Sequence, residues 1–209
     1  MKSIPSPLIA ALLASFAAGC SADDDPTERS GAETDPMSSP DAGTPDPFAD
    51  CDRTVLEPDA AMMDEHGNPV PPRWIGPAAD PQTGALALDP NTSYHVSATY
   101  LPLLPSEAAM AEFSGLQPAL AETLAGHGGV LALQLLFSPS CNVARTFTVW
   151  RDEDAMVEFV VSPAHLQAMA ALARMSRGGS TTVSWTASPG DAISTEEGLR
   201  RLGGEPVFD

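Results

Sequence analysis

Four side chains between residues 150 and 169 are of types that could hold or act on a small molecule. Trp150 ends a strand-like segment, and Phe159, His165 and Met169 follow it in a helix-like segment. His165 is the titratable residue placed near the apolar stripe of that helix. Because the unperturbed pKa of histidine lies near neutrality, His165 is the candidate general base. The alternative is a histidine that only packs at the edge of the core.

A strand and a two-part helix must position these side chains. Residues 145–150 alternate between two faces and are rich in aromatic and β-branched types, which suit a sheet. The acidic residues 152–154 can cap a first helix and complement its dipole. Ser162 and Pro163 restart the helix, since serine caps free N–H groups and proline fits the first helical position. A Gly-Gly pair beginning at Gly178 ends it.

The other elements of the domain follow from the same periodicities. Residues 93–101 alternate and indicate a strand, and residues 130–137 are almost all apolar, which indicates a short central strand. Between them, apolar residues step by three and four along a helix that Pro118 is predicted to kink or divide. Residues 180–186 form the last strand. The order βαββαβ predicts an α+β, ferredoxin-like domain with a four-stranded antiparallel sheet and two helices on one face.

The central segment also resembles a known family. The pattern consists of a TVW strand end, an acidic cap, Phe159, Ser162-Pro163-x-His165 and Met169. It is similar to the antibiotic-biosynthesis-monooxygenase-like group of the dimeric α/β-barrel superfamily. The specific resemblance covers about residues 144–186, with a weaker topological match back to about residue 93. Members of that superfamily include cofactor-independent oxygenases, haem-degrading enzymes and proteins with no assigned activity.

The resemblance carries expectations about assembly and site. It implies a homodimer in which two sheets pack face to face to form a barrel. It also implies a ligand pocket between the sheet and the helices of each subunit. The candidate pocket residues are His95, Trp150, Phe159, His165 and Met169.

One departure from the family pattern bears on haem. By resemblance, the haem-degrading members carry an aromatic residue and, ten positions later, a histidine that ligates iron. Phe159 fills the aromatic position here, but the tenth position after it is Met169. This argues against haem degradation. With no other metal-ligand spacing and no Gly-rich phosphate loop, no cofactor and no metal are expected.

The N-terminus indicates export. Lys2 precedes an apolar run over residues 8–18 that is too short to span a bilayer, which is typical of a signal peptide. The Ala-Ala-Gly-Cys ending at Cys20 resembles the lipobox of bacterial lipoproteins, in which the cysteine is acylated. Ser21 after it favours, by resemblance, the outer membrane of the cell envelope. The alternative is an ordinary secretory signal.

Composition divides the chain into five segments. Nine of the 30 residues from 21 to 50 are acidic and five are proline, so this stretch has little to bury and is expected to be disordered. The following stretch is Pro-rich and irregular, with Trp74 as its expected packing anchor. The segments are a signal peptide (1–19), an acidic tether (20–50), an N-terminal extension (51–92), the ferredoxin-like domain (93–188) and an acidic tail with a short helix from Thr195 (189–209).

Charge excludes one class of partner. The chain has a formal net charge of −18 and no lysine after Lys2. Without a basic stripe, a nucleic-acid partner is not expected. Anionic membranes should repel the folded part, so any membrane attachment is expected through the lipid alone.

Two cysteines remain once Cys20 is lipidated. Cys51 opens the folded part, and Cys141 lies in the turn between two expected strands. An even pair in an exported protein predicts a disulfide, although two free thiols are the alternative.

Three functions are consistent with these features. The first is an exported lipoprotein whose domain binds a small apolar ligand. The second is a cofactor-independent oxygenase acting on a small aromatic or polyketide-like molecule, with His165 as base. The third is a structural dimerisation domain with a filled core. The anchor, the tether and the lack of a clear catalytic set favour binding or a structural role over catalysis.

Overall fold

The computed structural model describes residues 46–64 and 66–208. The strands are β1 (Met62–Met63), β2 (Pro69–Val70), β3 (Tyr94–Pro102), β4 (Val130–Ser138), β5 (Val143–Trp150) and β6 (Thr181–Ala187). The helices are α1 (Glu107–Gly126), α2 (Glu153–Val160), α3 (Pro163–Met175) and α4 (Thr195–Leu202). The signal peptide, Cys20 and nearly all of the tether lie outside the described residues.

The main sheet confirms the expected fold. Its strands lie in the order β4-β5-β3-β6, and every neighbouring pair is antiparallel. With α1 between β3 and β4, and α2 and α3 between β5 and β6, this is the ferredoxin-like topology. Strands β1 and β2 form a separate two-stranded sheet in the N-terminal extension.

The caps explain where the later helices begin. Asp152 accepts a hydrogen bond from the Ala155 backbone N–H, and Ser162 accepts one from the His165 backbone N–H. Both are N-cap bonds that satisfy otherwise free donors. The two helices meet at 63°, as the two-part prediction requires.

The structure corrects two expectations about single elements. Helix α1 is continuous through Pro118, so the proline does not divide it, and the alternative of a kink stays a prediction. Strand β4 is an edge strand and not a central one. Its apolar sequence reflects burial of both of its faces, and its outer edge is bridged by the extension at Ala61–Phe137 and Ile75–Leu133.

The sheet has two faces of different composition. We call the one that carries Val96, Phe147 and Trp185 the capped face, because residues of the N-terminal extension and α4 cover it. The opposite side, which carries His95 and Trp150, is the helix face and packs against α1, α2 and α3. The two sets alternate along each strand, as the period of two demands.

A buried ion pair fastens the extension to the capped face. The Arg145 guanidinium donates to both carboxylate oxygens of Glu57, at 2.9 and 2.7 Å. It also donates to the backbone carbonyls of Asp52, Arg53 and Val55, at 2.8 to 2.9 Å. The guanidinium carbon lies 4.6 Å from the centre of the Tyr100 ring. All five of these hydrogen bonds therefore end on acceptors of the N-terminal extension.

The predicted disulfide is confirmed. Cys51 and Cys141 are bonded, with their Cα atoms 5.7 Å apart. The bond ties the start of the extension to the turn between β4 and β5. Beside it, Phe48 lies under the Arg177 guanidinium, whose carbon is 4.0 Å from the ring centre.

Helix α4 forms where the sequence predicted it, but it is part of the core. Leu199 and Leu202 are buried against the sheet. Gly198 permits this approach: a Cβ at that position would lie 2.7 Å from two ring carbons of Phe147. The expected acidic tail therefore contributes a helix that covers the capped face.

Coverage of the capped face affects how two copies of the chain could assemble. A barrel formed by two sheets packed face to face needs a sheet face that its own chain leaves open. In this chain, residues of both sheet faces are buried within the chain itself, one set against α1 to α3 and the other against the extension and α4. Two capped faces could pack together only if the extension and α4 moved aside. A homodimer stays a prediction.

Candidate functional site

The expected site residues lie at one end of the helix face. Trp150 ends β5, and Phe159 lies in the last turn of α2. Their ring centres are 5.4 Å apart. His165 follows at 5.0 Å from Phe159, and His127 meets the edge of Trp150 at 5.8 Å. We call these four rings the aromatic row.

His165 is held in one orientation by the chain before it. Its Nδ1 atom lies 3.0 Å from the Val160 carbonyl oxygen. Because a carbonyl can only accept, Nδ1 carries the proton and Nε2 keeps its lone pair. Burial lowers the pKa of His165, and the Val160 carbonyl partly opposes that shift. The contact with Val160 and the lowered pKa both favour the neutral imidazole, with the lone pair on Nε2.

His95 lies beside Trp150 on the neighbouring strand. The two residues are register partners of β3 and β5, so their side chains share the helix face. Neither ring nitrogen of His95 has a hydrogen-bond partner within the described chain, and the residue is 5% exposed. Burial lowers the pKa of His95, while Glu153 and Asp152 act in the opposite direction. This histidine is packed as a neutral group.

His127 is a member of the row that the sequence analysis did not name. Its Nδ1 accepts a hydrogen bond of 3.2 Å from the Gly129 backbone N–H, which leaves the proton on Nε2. Nε2 lies 3.5 Å from a carboxylate oxygen of Glu158. Glycine at position 129 has a packing reason, since a Cβ there would lie 2.3 Å from that of Ala155.

The rings of the aromatic row pack against the core and against one another. They do not surround an open space of the kind expected for the ligand pocket. Trp150 is 2% exposed, and its Nε1–H donates to the Ser97 hydroxyl at 2.9 Å. Met169 points the other way, with 52% of its surface exposed. The five expected pocket residues are thus not gathered around one cavity: His95 and Trp150 are core residues, Phe159 and His165 are partly buried, and Met169 is on the surface.

A cavity lies further along the helix face, between α1 and the sheet. Its volume is about 90 Å³. On the helix face its lining consists of Thr99, Leu101, Phe113, Gln117, Leu135, Phe137, Ala144 and Thr146. Leu101, Leu135 and Ala144 are only partly buried, so the cavity communicates with solvent. It is mainly apolar with a few fixed polar groups, which is typical of small-molecule sites.

The polar groups of the cavity are Gln117, Thr99 and Thr146. The two threonine hydroxyls are 2.5 Å apart, and the Thr146 backbone N–H donates to the Thr99 oxygen at 3.2 Å. The Gln117 amide nitrogen donates to the Phe113 carbonyl at 3.4 Å, while its carbonyl oxygen accepts no hydrogen bond from the described residues.

Sequence reasoning missed Gln117 because the buried face of α1 is rotated relative to the expected stripe. The predicted stripe was Met110, Phe113, Leu116, Leu120 and Leu124, whereas the buried positions are Ala109, Phe113, Gln117, Ala121 and Leu124, so only Phe113 and Leu124 belong to both sets. The sequence did contain a signal for Gln117: it lies four residues after Phe113 and four before Ala121, and residues four apart share one side of a helix.

Other kinds of site were also searched. Within residues 46–64 and 66–208, no group of three or more His, Cys, Asp or Glu side chains could hold a metal ion. No single helix in that part of the chain is long and apolar enough to cross a membrane; α2 and α3 together pass that test of length and composition, but they are bent by 63°.

Comparison with known proteins gives likeness in structure alone. No family model matches the chain, and no curated protein matches it. Rv0793 from Mycobacterium tuberculosis is 19% identical with a TM-score of 0.38 and covers 49% of this chain and 100% of its own.

Two further structures are oxygenases by description. SnoaB, a cofactor-independent oxygenase from Streptomyces nogalater, is 20% identical with a TM-score of 0.35, over 50% of this chain and 96% of its own. A putative antibiotic biosynthesis monooxygenase from Caulobacter crescentus is 23% identical with a TM-score of 0.39, over 50% of this chain and 93% of its own. At these TM-scores the likeness carries no further conclusion about this chain, and its fold rests on its own strand order and connections.

Proposed function

We propose that the domain binds a small, mainly apolar molecule in the cavity between α1 and the sheet. The observation that carries this proposal is the cavity itself, whose walls are mainly apolar and include the buried Gln117. The aromatic row does not contribute to these walls. The site therefore differs from the one expected at Trp150 and Phe159.

The volume limits the ligand. An engineered protein cavity of about 150 Å³ is enough to bind benzene. At about 90 Å³, this cavity takes a smaller group, such as a branched aliphatic end or the edge of one ring. The Gln117 carbonyl favours a ligand with one hydroxyl or N–H donor, and the hydroxyls of Thr99 and Thr146 can accept or donate one further bond.

The test is calorimetric titration with small alcohols and phenols. Ala144→Leu fills the cavity with a larger side chain and should weaken binding about tenfold or more, because each buried methylene the ligand loses is worth roughly 0.8 kcal/mol. Gln117→Leu keeps the volume and should select against ligands with a donor. Met169→Leu, on the exposed side of α3, is the matched control. Equal binding by wild type and Ala144→Leu would refute the site.

Catalysis is the second candidate, and a specific observation supports it. His165 is neutral, its Nδ1–H is engaged by Val160, and Nε2 is free to take a proton. A cofactor-independent oxygenase needs such a base beside an aromatic substrate. His165→Ala should abolish dioxygen uptake with a small aromatic substrate while ligand binding persists. If uptake is absent in the wild type, the domain is a binding module.

We also propose that Cys20 carries the lipid and that the domain is held at the outer membrane of a bacterial cell envelope. Support comes from the Ala-Ala-Gly-Cys sequence, the acidic tether after it and the disulfide, which fits an oxidising compartment. Cys20→Ser should move the protein from the membrane to the soluble fraction. Mass spectrometry of the wild-type N-terminus should show an acylated cysteine.

A further inference from the structure

We propose that the outer side of α2 and α3 is a surface that rests on a zwitterionic lipid bilayer. The surface consists of five exposed apolar side chains: Val157, Val160, Val161, Leu166 and Met169. We call it the apolar elbow, because the two helices are bent by 63° at the link between them. The proposal goes beyond the ligand cavity, and beyond the expectation that an acyl chain alone would touch the membrane.

Large apolar residues are unevenly exposed in this chain. Five of the eight that the described residues expose belong to the apolar elbow, with Leu166 54% and Val161 59% exposed. Among the described residues of the longer helix α1, by contrast, none is an exposed large hydrophobic, and the exposed Glu107 and Glu122 are charged. Single exposed apolar residues are ordinary, whereas a contiguous apolar patch marks a contact with a protein or a membrane.

The link holds the end of α2 and the start of α3 together. The Nδ1 atom of His165 lies 3.0 Å from the Val160 carbonyl oxygen, and its ring centre lies 5.0 Å from that of Phe159. Leu166 follows His165 directly, and Met169 lies one turn further along α3. The three valines and these two residues therefore lie close together on either side of one short link.

Helix α3 is apolar on both of its sides. Ala171 and Met175 are buried within the chain, while Leu166 and Met169 are exposed. Arg174, in the last turn, is its one charged residue. A helix that is apolar all round is typical of a protein core or of a membrane. One side of α3 lies in the core, and the outer side fits apolar surroundings better than water.

The N-terminal end of the described chain lies within reach of the elbow. Phe48 packs on the Arg177 guanidinium, just after α3 ends, so the chain enters the domain at that end of the helix. The elbow lies at the other end, about 20 Å away along a helix of 13 residues.

The chain before the domain is long enough to join the elbow to an anchor. The 25 residues from 21 to 45 span at most about 80–90 Å. An acyl group on Cys20 and the apolar elbow can therefore enter the same bilayer. Tethering raises the effective concentration of the second contact, so a modest apolar area is sufficient to keep the elbow on the surface.

Charge around the elbow selects the kind of lipid. The Glu158 side chain is 74% exposed, and Glu153 and Asp154 are exposed at the start of α2. These carboxylates and the net charge of −18 oppose anionic headgroups. Phosphatidylethanolamine has no net charge, and its ammonium group can pair with a carboxylate at the rim of the elbow. A zwitterionic bilayer is therefore the surface that the elbow fits.

The first test is vesicle flotation of a chain without lipid. The chain from residue 20 onwards with Cys20→Ser keeps every described residue but lacks the acyl group and the apolar run 8–18. We expect it to float with vesicles of phosphatidylethanolamine and phosphatidylcholine, and to float less when phosphatidylglycerol is added. Leu166→Glu should weaken this partition about tenfold or more. Ala192→Glu adds the same charge beside Ile193 on the capped face and should leave it unchanged. Circular dichroism checks that both variants fold.

The second test places a fluorescent reporter on the elbow of the acylated chain in vesicles. The native indoles of Trp74, Trp150 and Trp185 are buried, so a surface indole is distinguishable from them. The indole introduced by Leu166→Trp should be quenched by phosphatidylcholine with brominated acyl chains, and its emission should move to shorter wavelength. The indole introduced by Ala192→Trp should show neither change.

The outcomes separate the elbow from the proposed anchor and from a protein partner. Flotation that Leu166→Glu leaves unchanged would overturn the proposal, as would an unquenched Leu166→Trp indole in the acylated chain. No flotation together with a quenched indole would support a contact that depends on the tether. A chain that does not float but self-associates through Leu166 would overturn the proposal and assign the elbow to a second copy. If Cys20 carries no lipid, flotation alone decides.

Discussion

The two faces of the sheet are closed in opposite ways. The capped face is sealed by segments that lie far away in sequence, held by a buried ion pair, a disulfide and α4. The helix face is covered by helices that belong to the domain itself, and it leaves a small cavity on one side and a row of exposed hydroxyls on β6. The first face contributes stability, and the second retains the features that a ligand or a partner can use.

The comparison predicts that breaking the ion pair has the largest effect. Arg145→Met should lower the free energy of unfolding by about 3–5 kcal/mol, because it leaves the Glu57 carboxylate buried without its partner. Urea denaturation measures this.

The matched control for that change is Arg174→Met. Arg174 forms an exposed pair with Glu112 on the helix side, so the loss should stay within about 1 kcal/mol. If both substitutions cost the same, the capped face does not depend on the buried pair. A double variant with Glu57→Leu should recover much of the stability that Arg145→Met loses.

Removing the disulfide should have the next largest effect. Cys51→Ser with Cys141→Ser opens a loop with a sequence separation of 90 and should cost about 2–5 kcal/mol. The thermal midpoint of the oxidised wild type should fall to that of the double variant on reduction. A reduced wild type as stable as the oxidised form would show that the extension is held by the ion pair and α4 alone.

A side chain that blocks the close contact between α4 and the sheet should lower the stability by a smaller amount. Gly198→Ala places a Cβ against the fully packed Phe147 ring and should cost about 1–3 kcal/mol as overpacking. Gly115→Ala is the control, since the same change in α1 meets no atom within 4 Å and should stabilise by about 0.5–1 kcal/mol. Thermal melts of both variants and of the wild type measure these changes in stability. Equal effects would mean that α4 does not need close contact with the sheet.

The smallest expected effect concerns the dependence of stability on pH, which arises from His95 on the helix face. The pKa of His95 is lowered by burial from an ordinary value of 6.5, so below about that pH the unfolded chain takes up a proton that the folded chain does not. Stability should therefore fall as pH decreases through this range and be level above it. His95→Leu should flatten the fall measured by urea denaturation at several pH values.

The pKa of His165 is also lowered by burial. The stability of the double variant His95→Leu with His165→Gln should therefore depend even less on pH. An unchanged slope in His95→Leu would mean that the buried imidazole is protonated in the folded chain, held by Asp152 and Glu153.

The local structure of the domain was predictable because its signals are local. The alternation in residues 93–101 and 145–150 gives β3 and β5 to within a residue or two, and the caps at Asp152 and Ser162 mark the starts of α2 and α3. The disulfide was predictable from the pair of cysteines left in the folded part, given the prediction of export. Each of these inferences depends on neighbours in sequence or on simple arithmetic.

The site was less predictable. The aromatic row was expected as the lining of a pocket, but Trp150 is packed against its neighbours and Met169 faces solvent. The direction of a helical side chain depends on how the helix is rotated against the sheet, and a shift of one position moved Gln117 inside. Strand β4 was predicted at the centre of the sheet because its residues are almost all apolar. Such a run shows that both faces of the strand are buried, but it does not show which elements cover them.

The sequence by itself determined the order of the elements, the caps, the disulfide and the absence of a basic surface, since these follow from residue types and short spacings. Only the tertiary structure decided that the extension and α4 close one face of the sheet, that Arg145 is buried with Glu57, and that the edge of β6 stays open. These features arise from contacts between residues that lie up to 150 positions apart, which no local periodicity encodes.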